Sequence, residues 1–164
     1  MPEKATVERA RKHAREGKSP STQAGEFVRE EIEHIREGKH GAQSAKQAIA
    51  IGLSKARRAG VKLPPPEKGR TSRETRRRAA RDLARSHTRR RSPRRAQGIL
   101  RALRRKPRSA ASRTALSRQA HSAARRRSAA ERSAAARKAA RTKGPRARSA
   151  AARKAARTRG GRSR

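Results

Sequence analysis

The chain has 164 residues, 50 of them lysine or arginine and 12 aspartate or glutamate, giving a formal charge of +38 with no cysteine. Disulfide frameworks, thiolate catalysis and cysteine-based zinc sites are excluded together. Leu, Ile, Val and Phe supply only 15 residues against 34 alanines, so composition predicts at most a small folded domain beside disordered sequence.

Charge divides the chain in two. Residues 1–70 carry 16 basic and 9 acidic side chains, a net +7, whereas residues 71–164 carry 34 and 3, a net +31. Of the 16 large apolar residues, 11 precede residue 71. Pro64, Pro65, Pro66 and Gly69 sit at the change and read as a semi-rigid spacer. The expected organisation is a basic N-terminal helix or arm over 1–18, a helical hairpin head over 19–63, a Pro/Gly linker over 64–70 and a low-complexity basic tail over 71–164. The fold class is mostly α, with the tail disordered or fluctuating in helicity.

In chain order, Ser19 followed by Pro20 predicts an N-cap and first helical position, opening a helix that runs to about Gly38. Ala24, Val28, Ile32 and Ile35 fall on one face, with Arg29, Glu30, Glu33, Arg36 and Glu37 opposite and Phe27 at the flank. Beyond the Gly38-Lys39-His40-Gly41 break, Ser44 and Gln47 have capping-box spacing. Ala45, Ile49, Gly52, Leu53 and Ala56 then form a second apolar face that Gly60 ends. Two such helices predict an antiparallel hairpin. With so few large apolar side chains it needs dimerisation or a third helix, and residues 5–17 and 72–86, the latter opened by Thr71-x-x-Glu74, are the available segments.

The tail repeats. RSAAARKAART occurs at 132–142 and again at 148–158, with looser Arg/Ser/Ala variants over 109–131. Alanine and arginine permit helix over about 93–106 and 109–142, but arginines 113 to 141 point nearly all round, leaving no face to pack. Arginine outnumbers lysine 38 to 12, which suits forked contacts to phosphate and entry into narrow minor grooves. B-DNA offers one charge per about 1.7 Å of axis, so the tail matches the phosphates of roughly 15 base pairs.

The expected nucleic-acid-binding residues are Lys46, Lys55, Arg57 and Arg58 on the second head helix, and Arg94 and Arg95 in Ser92-Pro93-Arg94-Arg95. That tetrapeptide is similar to minor-groove units of histone tails, although Ser92 and Pro93 also read as a helix start. Arg125, Arg126 and Arg127 follow, with Arg132, Arg137, Lys138 and Arg141 in the first repeat and Arg148, Arg153, Lys154 and Arg157 in the second. Serines among the arginines, such as Ser128, are placed for charge-reducing phosphorylation.

The cluster Glu30, Glu31, Glu33, His34, Glu37 and His40 is the one place for an active or metal site, with Glu30 and His34 a turn apart. It reads as the solvated face of an amphipathic helix, held by pairs such as Arg29 with Glu33, and neither metal nor cofactor is expected. Catalysis is not expected either, since the sole aspartate is Asp82 and no phosphate loop is present. Phe27 is the only aromatic residue of Phe, Tyr and Trp, which removes a stacking platform for single strands. No apolar run reaches ten residues, so neither a membrane span nor a secretory signal is expected.

Residues 21–68, with GEFVREE in the first helix and KQAIAIGLSKARRAG in the second, resemble a small bacterial family of uncharacterised domains. The resemblance implies a bacterial, helical, basic domain and no assigned activity or site residue. The tail is similar to the alanine- and basic-rich tails of bacterial proteins likened to linker histones, departing from them in its preference for arginine. The expected function is non-sequence-specific nucleic-acid binding, DNA before RNA, by a histone-like protein of the cytoplasmic bacterial nucleoid, with a homodimer through the head available and no membrane partner. The alternative is a protein-interaction adaptor whose tail localises it to DNA or ribosomal RNA, suggested by the acidic face at Glu30, Glu33 and Glu37.

Overall fold

The computed structural model describes residues 2–84 and 92–160. The chain is mostly α, as its composition and periodicity predict, with no strand among the described residues. The helices are α1 (Lys4–Arg15), α2 (Pro20–Arg36), α3 (Ala45–Arg58), α4 (Arg73–Ala84), α5 (Pro93–Arg104), α6 (Arg113–Arg125) and α7 (Ala129–Gly160). A short 3₁₀ turn, Ser109–Ala111, precedes α6. Residues 1–119 form one compact unit and residues 120–164 another.

The predicted hairpin is the centre of the first unit. Pro20 opens α2 behind Ser19, although Ser19 makes no side-chain cap. Ser44 caps α3 by accepting from the Gln47 N–H at 3.2 Å. Gln47 reaches back to the Gln43 N–H at 2.7 Å, one residue short of a reciprocal box. The two helices approach closely at Gly52, where a Cβ would lie 2.7 Å from Val28 Cα and 3.0 Å from Phe27 O.

Phe27 and Ile35 are fully buried, and each contributes about 1.5–3 kcal/mol by leaving water. They belong to two separate clusters. Phe27 packs with Ala10, Ala24, Ala56 and Val61, so α1 covers one end of the hairpin. Ile32 and Ile35 pack with Ala42, Ala48, Ala110 and Ala111 at the other. The extra helices predicted at 5–17 and 72–86 are present as α1 on α2 and α4 on α3, the end of the second lying outside the described residues. Ser72, one residue after Thr71, caps α4 by accepting from the Thr75 N–H.

The expected start of a free tail at residue 71 is corrected by the contacts of residues 72–119. Ser54 Oγ donates to Asp82 Oδ2 at 2.5 Å, tying α4 to α3. The Gly41 N–H donates to Leu103 O at 3.0 Å and the Ala42 N–H to Pro107 O at 3.1 Å. Only glycine fits at position 41, because a side chain there would enter the Lys106 carbonyl. Arg36 Nε donates to Ala111 O at 3.0 Å, and Ala110 and Ala111 close the core beneath it. The head therefore completes its small core with residues from beyond the proline linker.

Candidate nucleic-acid interface

Three of the four head cations expected to face phosphate face the protein instead. Lys55 lies 2.6 Å from Glu31 Oε2 and 3.5 Å from Glu30 Oε1. Arg57 is buried and donates to Leu63 O at 3.1 Å and Pro64 O at 3.3 Å, holding the start of the proline segment against α3. Burial lowers the Arg57 pKa, with the Asp82 charge opposing. Arg58 donates to Ser54 O at 3.1 Å and to Ser54 Oγ at 2.9 Å, and its Nε is 4.0 Å from Asp82 Oδ1. Lys46, in the first turn of α3, is exposed.

The acidic face is corrected as well. Glu30 and Glu31 are buried rather than solvated, because the N-terminal segment and α3 cover that side of α2. The Glu3 N–H donates to Glu30 Oε2 at 3.1 Å, and Lys55 approaches both carboxylates. Glu33 is exposed, 4.0 Å from Arg29, and Glu37 pairs with Lys39 at 3.0 Å. Of the acidic face expected at Glu30, Glu33 and Glu37, Glu33 and Glu37 are exposed and Glu30 is not.

Several other head cations have carboxylates close by. Arg9 and Arg29 reach Glu26 at 2.7 and 2.8 Å. Glu3 receives His34 at 2.8 Å and Lys39 at 3.3 Å, which hold its carboxyl below the ordinary 4.5, the His34 hydrogen bond first.

The second unit has another electrostatic character, with 16 basic residues and one acid between positions 120 and 164. That acid, Glu131, accepts from the Ser128 N–H at 2.8 Å, while Ser128 Oγ accepts from the Glu131 N–H at 3.2 Å. This reciprocal capping box starts α7 and sets the negative charge at the helix N-terminus, where the macrodipole favours it. The signal, Ser128-x-x-Glu131, was present in the sequence.

Gly144, with φ 67 and ψ 168, and Pro145 break α7 into two helical stretches, each carrying one copy of the repeat. The break falls where the Lys143-Gly144-Pro145 insertion separates the copies. Within a copy, helical spacing sets Arg137, Lys138 and Arg141 inside an arc of about 100°, with Arg137 and Arg141 about 6 Å apart along the axis. Arg153, Lys154 and Arg157 repeat that arrangement, and all six side chains are exposed. Phosphates on one strand of B-DNA advance about 3.4 Å each, so such a pair spans two.

Arg125, Arg126, Arg127, Arg132 and Arg148 are exposed too. Arg132 donates to Arg127 O at 2.6 Å and Arg148 to Gly144 O at 3.3 Å, each fastening the turn before its helix. In the first unit, Arg94 and Arg95 are exposed in the first turn of α5, which starts at Pro93 as predicted, although Ser92 makes no side-chain cap. No helix among the described residues is long and apolar enough to cross a membrane.

No curated protein and no solved structure matches the chain. Residues 15–68, which hold the α2–α3 hairpin and its connection to the proline segment, match a small domain family described as a family of unknown function, DUF6496.

Proposed function

We propose that the protein binds duplex nucleic acid, DNA in preference to RNA, without reading sequence, as a histone-like component of the bacterial nucleoid. It acts by neutralising phosphate and has no catalytic role. The observation that carries this reading is the run of exposed basic residues in the second unit, which holds 16 basic residues and one acid. The exposed Arg137, Lys138, Arg141, Arg153, Lys154 and Arg157 belong to that unit, whereas Arg9, Arg29 and Lys55 in the head lie beside carboxylates.

The resemblance of this Arg/Ala sequence to linker-histone-like tails agrees with the charge. Alanine-rich helices with no packed face are marginal in water, so the tail fluctuates when free and orders as phosphates cancel its repulsion. Its arginines suit the backbone and a narrow minor groove, and although arginine can also read guanine, a helix with no packed face fixes no register of side chains against successive base pairs.

Fluorescence anisotropy on several unrelated duplexes of equal length tests the reading. Affinities agreeing within a few-fold are expected. A single sequence preferred by about 10³ or more, the usual margin of specific recognition, overturns it.

A further inference from the structure

The buried carboxylate and histidine cluster on α2 is not used by the nucleic-acid interface. Glu31 is fully buried, and neither of its carboxylate oxygens has a hydrogen-bond partner. Lys55 Nζ at 2.6 Å from Oε2 and His40 Nε2 at 3.4 Å from Oε1 are close, but neither approach has hydrogen-bond geometry. One ligand atom each from Glu31, His34 and His40 lies within 4.8 Å of the others.

The outer contacts fix the tautomers of both rings. His40 Nδ1 is 3.2 Å from Gly41 O, a carbonyl that can only accept, so in the neutral ring the proton is on Nδ1 and the lone pair on Nε2. That lone pair faces Glu31 Oε1. His34 Nε2 is 2.8 Å from Glu3 Oε1, so a neutral His34 carries its proton there and keeps its lone pair on Nδ1, toward the interior. A histidine that gives one N–H to a carboxylate or carbonyl and presents its other nitrogen inward is arranged as metal-bound histidines are.

We propose that Glu31 Oε1, His34 Nδ1 and His40 Nε2 bind a late first-row divalent cation, zinc in the first instance. Two imidazoles and one carboxylate suit such an ion, whereas magnesium and calcium need more oxygen ligands than this site supplies. Bonds of about 2.0–2.1 Å in a tetrahedron put ligand atoms about 3.3 Å apart, so side-chain movements of about 1 Å close the set. The dication then offsets the two carboxylates, Glu30 and Glu31, with Lys55 still beside Glu31 Oε2. Glu31 and His34 lie on α2 and His40 lies in its connection to α3, so the ion fastens that connection to the helix.

The test uses full-length protein stripped of metal by chelator and of nucleic acid at high salt. Zinc uptake is measured by competition with a chromophoric chelator, and coordination by the visible spectrum after loading with Co(II). One zinc per chain and the intense band of a four-coordinate cobalt site are expected. His40→Ala should weaken zinc binding by more than about 100-fold, and Glu3→Ala, which removes the outer partner of His34 along with a surface contact of Lys39, by about 10-fold or more. His121→Ala, outside the cluster, should change nothing. Circular dichroism shows whether each variant is folded, and the wild-type cobalt spectrum decides the matter even if His40→Ala is not. No zinc uptake, an octahedral cobalt spectrum, or affinity indifferent to both Glu3 and His40 would overturn the proposal.

Discussion

Lys55 distinguishes a cation that holds the head together from one that faces phosphate. Its ammonium lies 2.6 Å from Glu31 Oε2 and 3.5 Å from Glu30 Oε1, and those two residues are 0% and 2% exposed. Lys55→Met keeps the length and apolar body of the side chain and removes only the charge. Glu30 retains the Glu3 N–H, but two adjacent buried carboxylates are left without their cation. Breaking a buried pair from one side costs about 3–5 kcal/mol, a large part of the roughly 5–15 kcal/mol that holds a domain folded. The far-UV circular dichroism melt of the full-length protein should fall by on the order of 10 °C or more. Lys46→Met, on the exposed side of the same helix, should stay within about 0.5 kcal/mol of wild type. If the two variants melt together, Lys55 is not an internal partner and its place among the phosphate contacts is restored.

Gly52→Ala sets a Cβ 2.7 Å from Val28 Cα, so overpacking of about 1–3 kcal/mol should outweigh the usual gain of about 1 kcal/mol for alanine in a helix; a raised urea midpoint would refute the close approach of α2 and α3. Ala111→Glu forces a charge against Ile32 and Ile35, and should lower the melting temperature of the full chain by several degrees, whereas an unchanged melt would make residues 103–116 part of a free tail after all. Burial alone would raise the Glu26 pKa, but Arg9, Arg29 and His13 together hold it below 4.5. A depressed carboxylate contributes stability above its unfolded pKa and loses it as pH falls through the folded value, so Glu26→Gln should narrow the stability difference between neutral pH and pH below about 4; an identical pH profile would contradict the pairing.

The hairpin was legible because its signals are local. Ser19-Pro20, the Ser44 and Gln47 spacing, and the Ala24, Val28, Ile32, Ile35 periodicity each concern residues within a few turns of one another. The seal by Ala110 and Ala111 was not, since an alanine pair inside an Arg/Ser/Ala stretch looks like its neighbours until Gly41 and Ala42 are seen bonded to Leu103 and Pro107. The burial of Glu30 was hidden for a related reason, whereas Glu31 falls between Phe27 and Ala24 on the apolar side of the wheel. Helical periodicity assigns polar residues to solvent, and only the approach of Lys55 from α3 and of the Glu3 backbone makes burial of a carboxylate tolerable. Of the site, the repeats and their charge were readable, while the internal commitment of Lys55, Arg57 and Arg58 was a tertiary fact.

The most direct test of phosphate neutralisation by the second unit is the salt dependence of binding to a random-sequence duplex. The full-length chain is compared with one carrying glutamine at Arg137, Lys138, Arg141, Arg153, Lys154 and Arg157. Each phosphate contact contributes about 0.9 to the slope of log affinity against log salt, so six lost contacts should flatten it by about 5. A slope changed by less than about 1 would mean that these cations do not meet phosphate and that the binding surface lies elsewhere.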